Sequence, residues 1–411
     1  MDWKDADRLA VIHGEAFYRF LPERFRANYL FMHRAFASIY PRFRIAYSYK
    51  TNYCPTVCRM VDDLGGTAEV VSEMEFELAS RLGIDGERII YNGPCKSADS
   101  IRACLSGGGI VNLDSLRDLD LVLGLAPASD GRIGRIGIRC NFPLGDGSPS
   151  RFGIDVDSPL FADVITKLRS ASGVRLSGLH CHFPDRDLGT FAGRCEGILA
   201  AMRSISGFVP DFLNIGGGYY SAIPPSLRAR IKGEPPTYED YARVIAGRFA
   251  QEFPDGGHRP ELIIEPGTAL VADTFEFITR VIDVKTVRGR TVATTAGSIF
   301  NISPTARITD LPLTVLRQSG STSAAADAQF DIAGFTCIEG DCMSRGVTGA
   351  VAPGDFLLYG NVGSYSLVMK PPFIQPNFAV LEQETDGGHR VIKRREDFAA
   401  VFNGFVDLTC A

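Results

Sequence analysis

Along the chain, apolar residues gather into short runs, each followed by a polar or glycine-containing turn and then by a stretch with helical spacing. Eight such units are legible, the signature of repeated βα units. The runs are FRIAYSYK (43–50), TAEVV (67–71), RIIYN (88–92), GIVNL (109–113), IGRIGIRC (133–140), LSGLHCHF (176–183), DFLNIGG (211–217) and ELIIE (261–265). Between them PTVCRMVDDLG, EMEFELASRLG, ADSIRACLS, SLRDLDLVLG, SPLFADVITKLRSA, TFAGRCEGILAAMRSI and YEDYARVIAGRFAQEF predict helices, several closed by the glycine that helix C-termini favour. Eight alternating units predict an α/β fold, a (β/α)8 barrel of the TIM type over residues 26–275, with functional groups at the C-terminal ends of its strands.

Beyond residue 275 the pattern changes to extended, β-branched stretches broken by Gly and Pro: FEFITRVIDVKTVRGRTVATTAG, AQFDIAGFTC, GDFLLYGNVGSY and FAVLEQETDGGHRVIKR. These predict an all-β domain, a sandwich or barrel, over 276–411. The opening RLAVIHGEAFYRF also reads as a strand, so residues 1–25 are assigned to the same domain. The Ala/Ser cluster at 317–329 reads as a mobile loop, and no internal repeat beyond the βα period is present.

Composition changes this picture little. Hydrophobic content of 45% and charged content of 22% are those of a globular chain, and a net charge of −5 without a basic run argues against nucleic acid or an anionic membrane as partner. A small molecule is the expected partner. The ten cysteines (54, 58, 95, 104, 140, 181, 195, 337, 342 and 410) show no paired CxxC sets and read as reduced thiols, and nothing suggests a metal site. Acidic residues precede the first apolar run and no long apolar span occurs, so the expectation is a cytoplasmic protein without signal peptide or membrane helix.

The groups at the strand ends carry the chemistry. Strand one delivers Lys50, strand two Glu69, strand five Arg139, strand six His180 and His182, strand seven Gly216, Gly217 and Gly218, and strand eight Glu265. A desolvated lysine can form a Schiff base with an aldehyde, as in pyridoxal phosphate enzymes. A glycine turn lets main-chain N–H groups approach a phosphate, and a carboxylate can hold a pyridine nitrogen protonated. Singly, each has a plainer reading: a surface lysine, a tight turn, a core histidine. Their convergence on one rim is what favours the cofactor.

With these residues in hand, the sequence resembles the fold-type III pyridoxal-phosphate decarboxylases, the ornithine and diaminopimelate decarboxylase-like group, from about residue 10 to 385. YSYKTN resembles the YAxKAN motif, which implies that Lys50 carries pyridoxal 5'-phosphate. GGTAEVVSEMEFELASRLGIDGERIIYNGPCKS resembles the next block, with Glu69 near the ring and Glu75 behind it. GLHCHF implies that His182 stacks on the ring. LNIGGGY resembles the phosphate-binding glycines, and IIEPGTALVADT the EPGR block, with Glu265 as pyridinium partner. GFTCIEGD resembles the cysteine motif that a partner subunit contributes, making Cys337 the acid that returns a proton to the substrate carbon. VGSYS resembles the family's GAY, with Tyr365 at the phosphate. The resemblance implies a homodimer with two shared sites and an amino-acid substrate.

Four departures bear on that substrate. Thr268 stands at the EPGR arginine, a phosphate contact, and Asp185 replaces a phosphate-side hydroxyl, with Arg186 as a candidate substitute. Ile338 stands at the acidic residue that grips a distal ammonium, and Glu339 beside it would face away if the segment were a strand. Ser303 in NISPTAR replaces the arginine for a distal carboxylate, with Arg307 as its candidate replacement. The candidate substrate-binding set is therefore Arg139, Arg307, Ile338, Glu339 and Asp341. Loss of both head-group contacts points to an uncommon amino acid or a conjugated intermediate, such as one in siderophore or other specialised-metabolite synthesis. Two alternatives stay open: an amino-acid racemase, which needs a second base where Cys337 stands, and a catalytically silent regulatory homologue.

Overall fold

The computed structural model describes residues 1–125, 133–145, 150–228, 231, 233–303, 311–318 and 328–406. It divides into two compact units, one of Arg26–Ala222 and Gly233–Leu270, the other of Met1–Phe25, Ile223–Lys232 and Val271–Ala411.

The first unit is a closed barrel. Its strands one to eight are Phe43–Ser48, Thr67–Val70, Ile89–Tyr91, Ile110–Leu113, Gly134–Asn141, Val174–His180, Phe212–Asn214 and Glu261–Ile264. Each pairs in parallel with the next, and strand eight returns to strand one through Leu262 opposite Phe43. Closure leaves no strand edge unpaired. Helices cover the outside, so most strand residues are buried on both faces, which is why the strands read as continuous apolar runs. Ala46, Ile90, Ile110, Phe212 and Ile263 form a buried cluster drawn from five strands. Helix starts are fixed by side-chain caps: Ser72 accepts the Glu75 N–H, and Ser97 and Thr237 form reciprocal capping boxes with Ser100 and Asp240. Such caps satisfy main-chain N–H groups that the first helical turn leaves free.

The second unit is built on a nine-stranded mixed sheet among the described residues. Its path runs Cys342–Thr348, Gln329–Ala333, Arg290–Thr295, Phe275–Val287, Ala16–Phe20, Ala379–Gln383 and His389–Lys393, with Phe356–Tyr359 joined to Phe275–Val287 and Leu313–Leu316. The N-terminal strand belongs to it as the sequence predicts, antiparallel to one neighbour and parallel to the other. Phe17, Ile278, Leu316, Phe356, Ala379 and Leu381 build its core with Ala6, Leu9 and Ala10.

Two expectations are corrected. The opening segment is not strand throughout: Trp3–His13 is a helix, because Asp2 and Asp5 form a capping box and Ala6, Leu9 and Ala10 fall on one buried face. Gly14, at φ 97°, ends it before the strand starts at Ala16. The strand read through AQFDIAGFTC stops at Ala333, and Gly334–Asp341 is a loop, so the pleat argument about Ile338 and Glu339 does not apply. Residues 319–327 of the expected 317–329 loop lie outside the described residues. The nine cysteines among the described residues are free thiols, and no described helix is long and apolar enough to cross a membrane.

Candidate active site

Barrel strand one ends at Ser48, and a single 3-10 turn, Tyr49–Thr51, follows. Tyr49 and Thr51 point into the core, which turns Lys50 out to the rim, where its side chain keeps 36% exposure. Lys50 Nζ donates to Glu69 Oε2 at 2.7 Å and to Ser48 Oγ at 2.6 Å. Pro266 O accepts the Ser48 N–H at 3.2 Å, so the loop after strand eight lies against this turn.

The Glu69 carboxylate is linked to Glu265 by a residue that sequence reasoning missed. Asn92, just past strand three, donates its Nδ2 to Glu69 Oε1 at 2.9 Å and to Glu265 Oε1 at 2.7 Å, while Asn112 Nδ2 donates to Asn92 Oδ1 at 2.7 Å. Glu265 Oε1 also accepts from Asn214 Nδ2 at 2.6 Å, and Oε2 lies 3.2 Å from His180 Nε2. Burial alone would raise the Glu265 pKa. His180 and the Lys50 charge outweigh it and hold the carboxyl well below the usual range, so Glu265 is ionised. Asn92 had a signal, a polar residue closing the run RIIYN, but asparagine there also reads as a turn former.

His182 lies beyond strand six rather than in it. Burial, aided by the Lys50 charge, holds its pKa well below the ordinary imidazole value, so the ring is neutral. Its Nδ1 accepts the Gly217 N–H at 2.9 Å, which places its proton on Nε2. Gly216 and Gly218 adopt left-handed φ values of 73° and 100°. A Cβ on Gly217 would lie 2.4 Å from the Glu265 carbonyl oxygen, so this turn requires glycine. Arg139 is buried and donates to Asp114 Oδ1 and to the His182 carbonyl, each at 3.3 Å, which braces the His182 loop. Asp185 has an exposed side chain, Arg186 lies 5.4 Å over the Tyr220 ring, and Thr268 is half-buried at the start of Thr268–Val271.

Behind the rim are Lys96, Asp118 and Arg194, which the sequence did not single out, and Glu75, which the resemblance places behind the ring. Lys96 and Asp118, with fully buried side chains, pair at 2.7 Å, and Asp118 Oδ2 also accepts the Asp114 N–H. Arg194 on the helix Leu188–Ser204 is fully buried against the glycine turn. Glu75, buried at 3%, accepts the Val71 N–H at 2.8 Å, and burial pushes its carboxyl up to about 7.

The remaining candidates belong to the β unit. Cys337, Ile338 and Glu339 are exposed on the Gly334–Asp341 loop. Asp341 is not exposed with them: its buried carboxylate accepts from Ser298 Oγ, the Ile299 N–H, and the N–H and Oγ1 of Thr336. It shapes the loop from within. Tyr365 is half-buried with φ 64°, a left-handed conformation that costs a non-glycine residue energy. Ser303 is buried, and Arg307 lies outside the described residues. Among the described residues no cluster of metal ligands occurs.

Known proteins share the fold that carries this rim. The diaminopimelate decarboxylase of Methanothermobacter thermautotrophicus is 27% identical, with 97% of this chain and 94% of that protein covered. That of Bacillus subtilis is 26% identical, covering 95% and 91%. The solved diaminopimelate decarboxylase of M. jannaschii superposes with a TM-score of 0.86 at 23% identity, covering 97% and 94% of the chains. Lysine decarboxylase from Selenomonas ruminantium gives 0.78 at 20% identity, covering 94% and 97%. At these identities the structures establish the fold, a TIM-type barrel with a mainly-β unit. Residues 28–272 match the family described as pyridoxal-dependent decarboxylase, pyridoxal binding domain.

The rim fits the cofactor that this family takes. It offers an amine at the mouth, an ionised carboxylate for a pyridinium, and a glycine turn in which the Gly218 N–H meets no acceptor among the described residues. With the rim chemistry and the family match in agreement, the chain belongs to the pyridoxal-dependent decarboxylases, enzymes that break a carbon–carbon bond with pyridoxal 5'-phosphate.

Proposed function

We propose that the protein removes the α-carboxylate of a diamino acid, with diaminopimelate the first substrate to test. The observation that carries the reaction is the Lys50 amine held between Glu69 and Ser48 on the rim that also bears an ionised Glu265. When bound, pyridoxal 5'-phosphate supplies an electron-accepting ring for the pair left behind as carbon dioxide departs. Lys50 is the residue to carry it. Glu69 Oε2, 2.7 Å from Nζ, is the base within reach of the lysine's proton. Glu265, fixed by Asn92, Asn214 and His180, would keep a proton on the pyridine nitrogen. Neutral His182 would cover one face of the ring without adding a charge that competes with that proton. Gly216, Gly217, Gly218, Thr268 and Tyr365 are assigned to the phosphate. Cys337, exposed on its loop, is assigned to return a proton to the α-carbon across the interface of a homodimer with two shared sites.

Support for a diamino acid comes from the named function of the relatives and from Glu339. Because Gly334–Asp341 is a loop, Glu339 is exposed and available to a distal ammonium in place of Ile338. A second reading, an uncommon or conjugated amino acid of specialised metabolism, is favoured by Ile338 itself, apolar and 41% exposed on that loop. The relatives are decarboxylases, which gives the racemase and silent-homologue alternatives no support. The test is carbon dioxide release from diaminopimelate, lysine and ornithine, with a wider amino-acid panel alongside. Rapid release from diaminopimelate supports the first reading; none from the three, with release from another amino acid, replaces it by the second. Lys50→Ala should abolish the near-visible absorbance of bound cofactor, and persistence of that band would refute the Lys50 assignment.

A further inference from the structure

Arg194 occupies a position that its own helix does not explain. It is 0% exposed, and a buried cation persists only where other groups replace its hydration. Main-chain carbonyls do so here. Nη1 donates to Gly217 O at 2.7 Å and to Ile215 O at 3.5 Å; Nη2 donates to Phe183 O and Asp185 O, each at 2.6 Å. The guanidinium lies 4.0 Å over the Phe191 ring. One pair of carbonyls belongs to the loop after strand six and the other to the loop after strand seven, so a single side chain ties the two together. These bonds go to dipoles rather than to a carboxylate, so they leave the positive charge in place.

The geometry has a second consequence. In a planar trans peptide the C=O of one residue and the N–H of the next point in opposite directions. Turning the Gly217 carbonyl onto Arg194 therefore turns the Gly218 N–H away from it, and turning the Asp185 carbonyl does the same for the Arg186 N–H. The Gly218 N–H has no acceptor among the described residues, and a Cβ on Gly218 would lie 3.4 Å from Arg194 Nη2.

We propose that Arg194 is the positioning residue of the phosphate subsite: it aims the N–H groups of Gly218 and Arg186 at the cofactor phosphate and backs them with an un-neutralised positive charge. The proposal rests on the reading that the glycine turn takes the phosphate. It accounts for how an anion is held beside Thr268, which is uncharged, and Asp185, which is acidic.

The experiment compares pyridoxal 5'-phosphate with pyridoxal, which lacks the phosphate, by absorbance titration of the cofactor-stripped full chain, in wild type, Arg194→Gln and Arg194→Lys. The readout is the ratio of the two dissociation constants, which general damage to the fold would not move. Charge-assisted hydrogen bonds set the expected size: the preference for the phosphorylated form should fall about tenfold or more in Arg194→Gln. In Arg194→Lys it should fall severalfold, because an ammonium cannot bridge two loops as a guanidinium does. Pyridoxal affinity should stay within about twofold of wild type, since the change is confined to the phosphate contacts. An unchanged ratio, or parallel loss of both ligands, overturns the proposal. Failure of both variants to fold also overturns it and assigns Arg194 to the fold alone. A wild-type protein that does not distinguish the two ligands would instead refute the phosphate reading of the glycine turn.

Discussion

Glu75 offers a quantitative test of the electrostatics behind the rim. Burial raises its carboxyl from 4.5 to about 7 against the opposing Val71 N–H bond, with Glu69 adding to the rise and Lys50 reducing it. The native state therefore holds a proton that the unfolded chain has released between these two values. The stability tied to that proton is fully present below 4.5 and is lost as pH rises through about 7. At about 1.36 kcal/mol per pKa unit the displacement corresponds to about 3 kcal/mol, most of it falling between pH 5 and 8. Glu75→Gln keeps the shape and removes the titration. Urea unfolding of cofactor-free protein should show wild type losing about 2–3 kcal/mol relative to Glu75→Gln from pH 5 to pH 8. A difference that does not vary with pH, or wild type gaining on the glutamine variant as pH rises, would refute the assignment.

Three further outcomes are expected. Asp341→Ala leaves two buried and two half-buried donors without their acceptor and should cost about 3–5 kcal/mol in denaturant unfolding; a rise in KM with stability unchanged would instead return Asp341 to the substrate. Lys96→Met strands a fully buried carboxylate and should cost about 3–5 kcal/mol, most of it recovered in Lys96→Met/Asp118→Leu; equal loss in single and double variants would sink the pairing argument. Lys50→Ala and Cys337→Ala, each slow alone, should on mixing and reassembly regain about a quarter of wild-type activity per dimer if sites are shared across a two-fold axis, and no recovery would remove the shared site.

The barrel was legible because its strands are buried on both faces, so the 3.3 Å repeat of a pleated strand left continuous apolar runs that helices could not imitate at that length. The candidate rim was legible by convergence: Lys50, His182 and Glu265 each have a plainer reading alone, but all three follow apolar runs at one end of the barrel. The groups that the sequence pattern does not mark act through long-range or main-chain contacts. Arg194 sits in a helix of ordinary composition, and its partners are carbonyl oxygens up to 23 residues away. The Gly334–Asp341 loop looked extended because Phe335, Thr336, Cys337 and Ile338 favour strands. Asp341 overrides that preference by gathering Thr336, Ser298 and Ile299 around one carboxylate. The N-terminal helix was misread for a local reason, since the short apolar run Leu9–Ile12 hid the Asp2–Asp5 box that starts it.

Glu265 and Glu75 also show what decides the charge of a buried carboxylate in this barrel. Both are shielded from water, 4% and 3% exposed, and burial alone would push both towards the neutral acid. Glu265 meets two asparagine amides and His180; Glu75 accepts the Val71 N–H. His180 beside Glu265, which Glu75 lacks, rather than depth, separates them. The separation matters for Lys50, whose charge acts on both. An ionised Glu265 can pair with a pyridinium, whereas a Glu75 half-protonated near neutral pH competes less with Glu69 for the Lys50 amine. Replacing Asn92, which serves Glu69 and Glu265 together, would therefore disturb the cofactor's proton and the lysine's partner in one step.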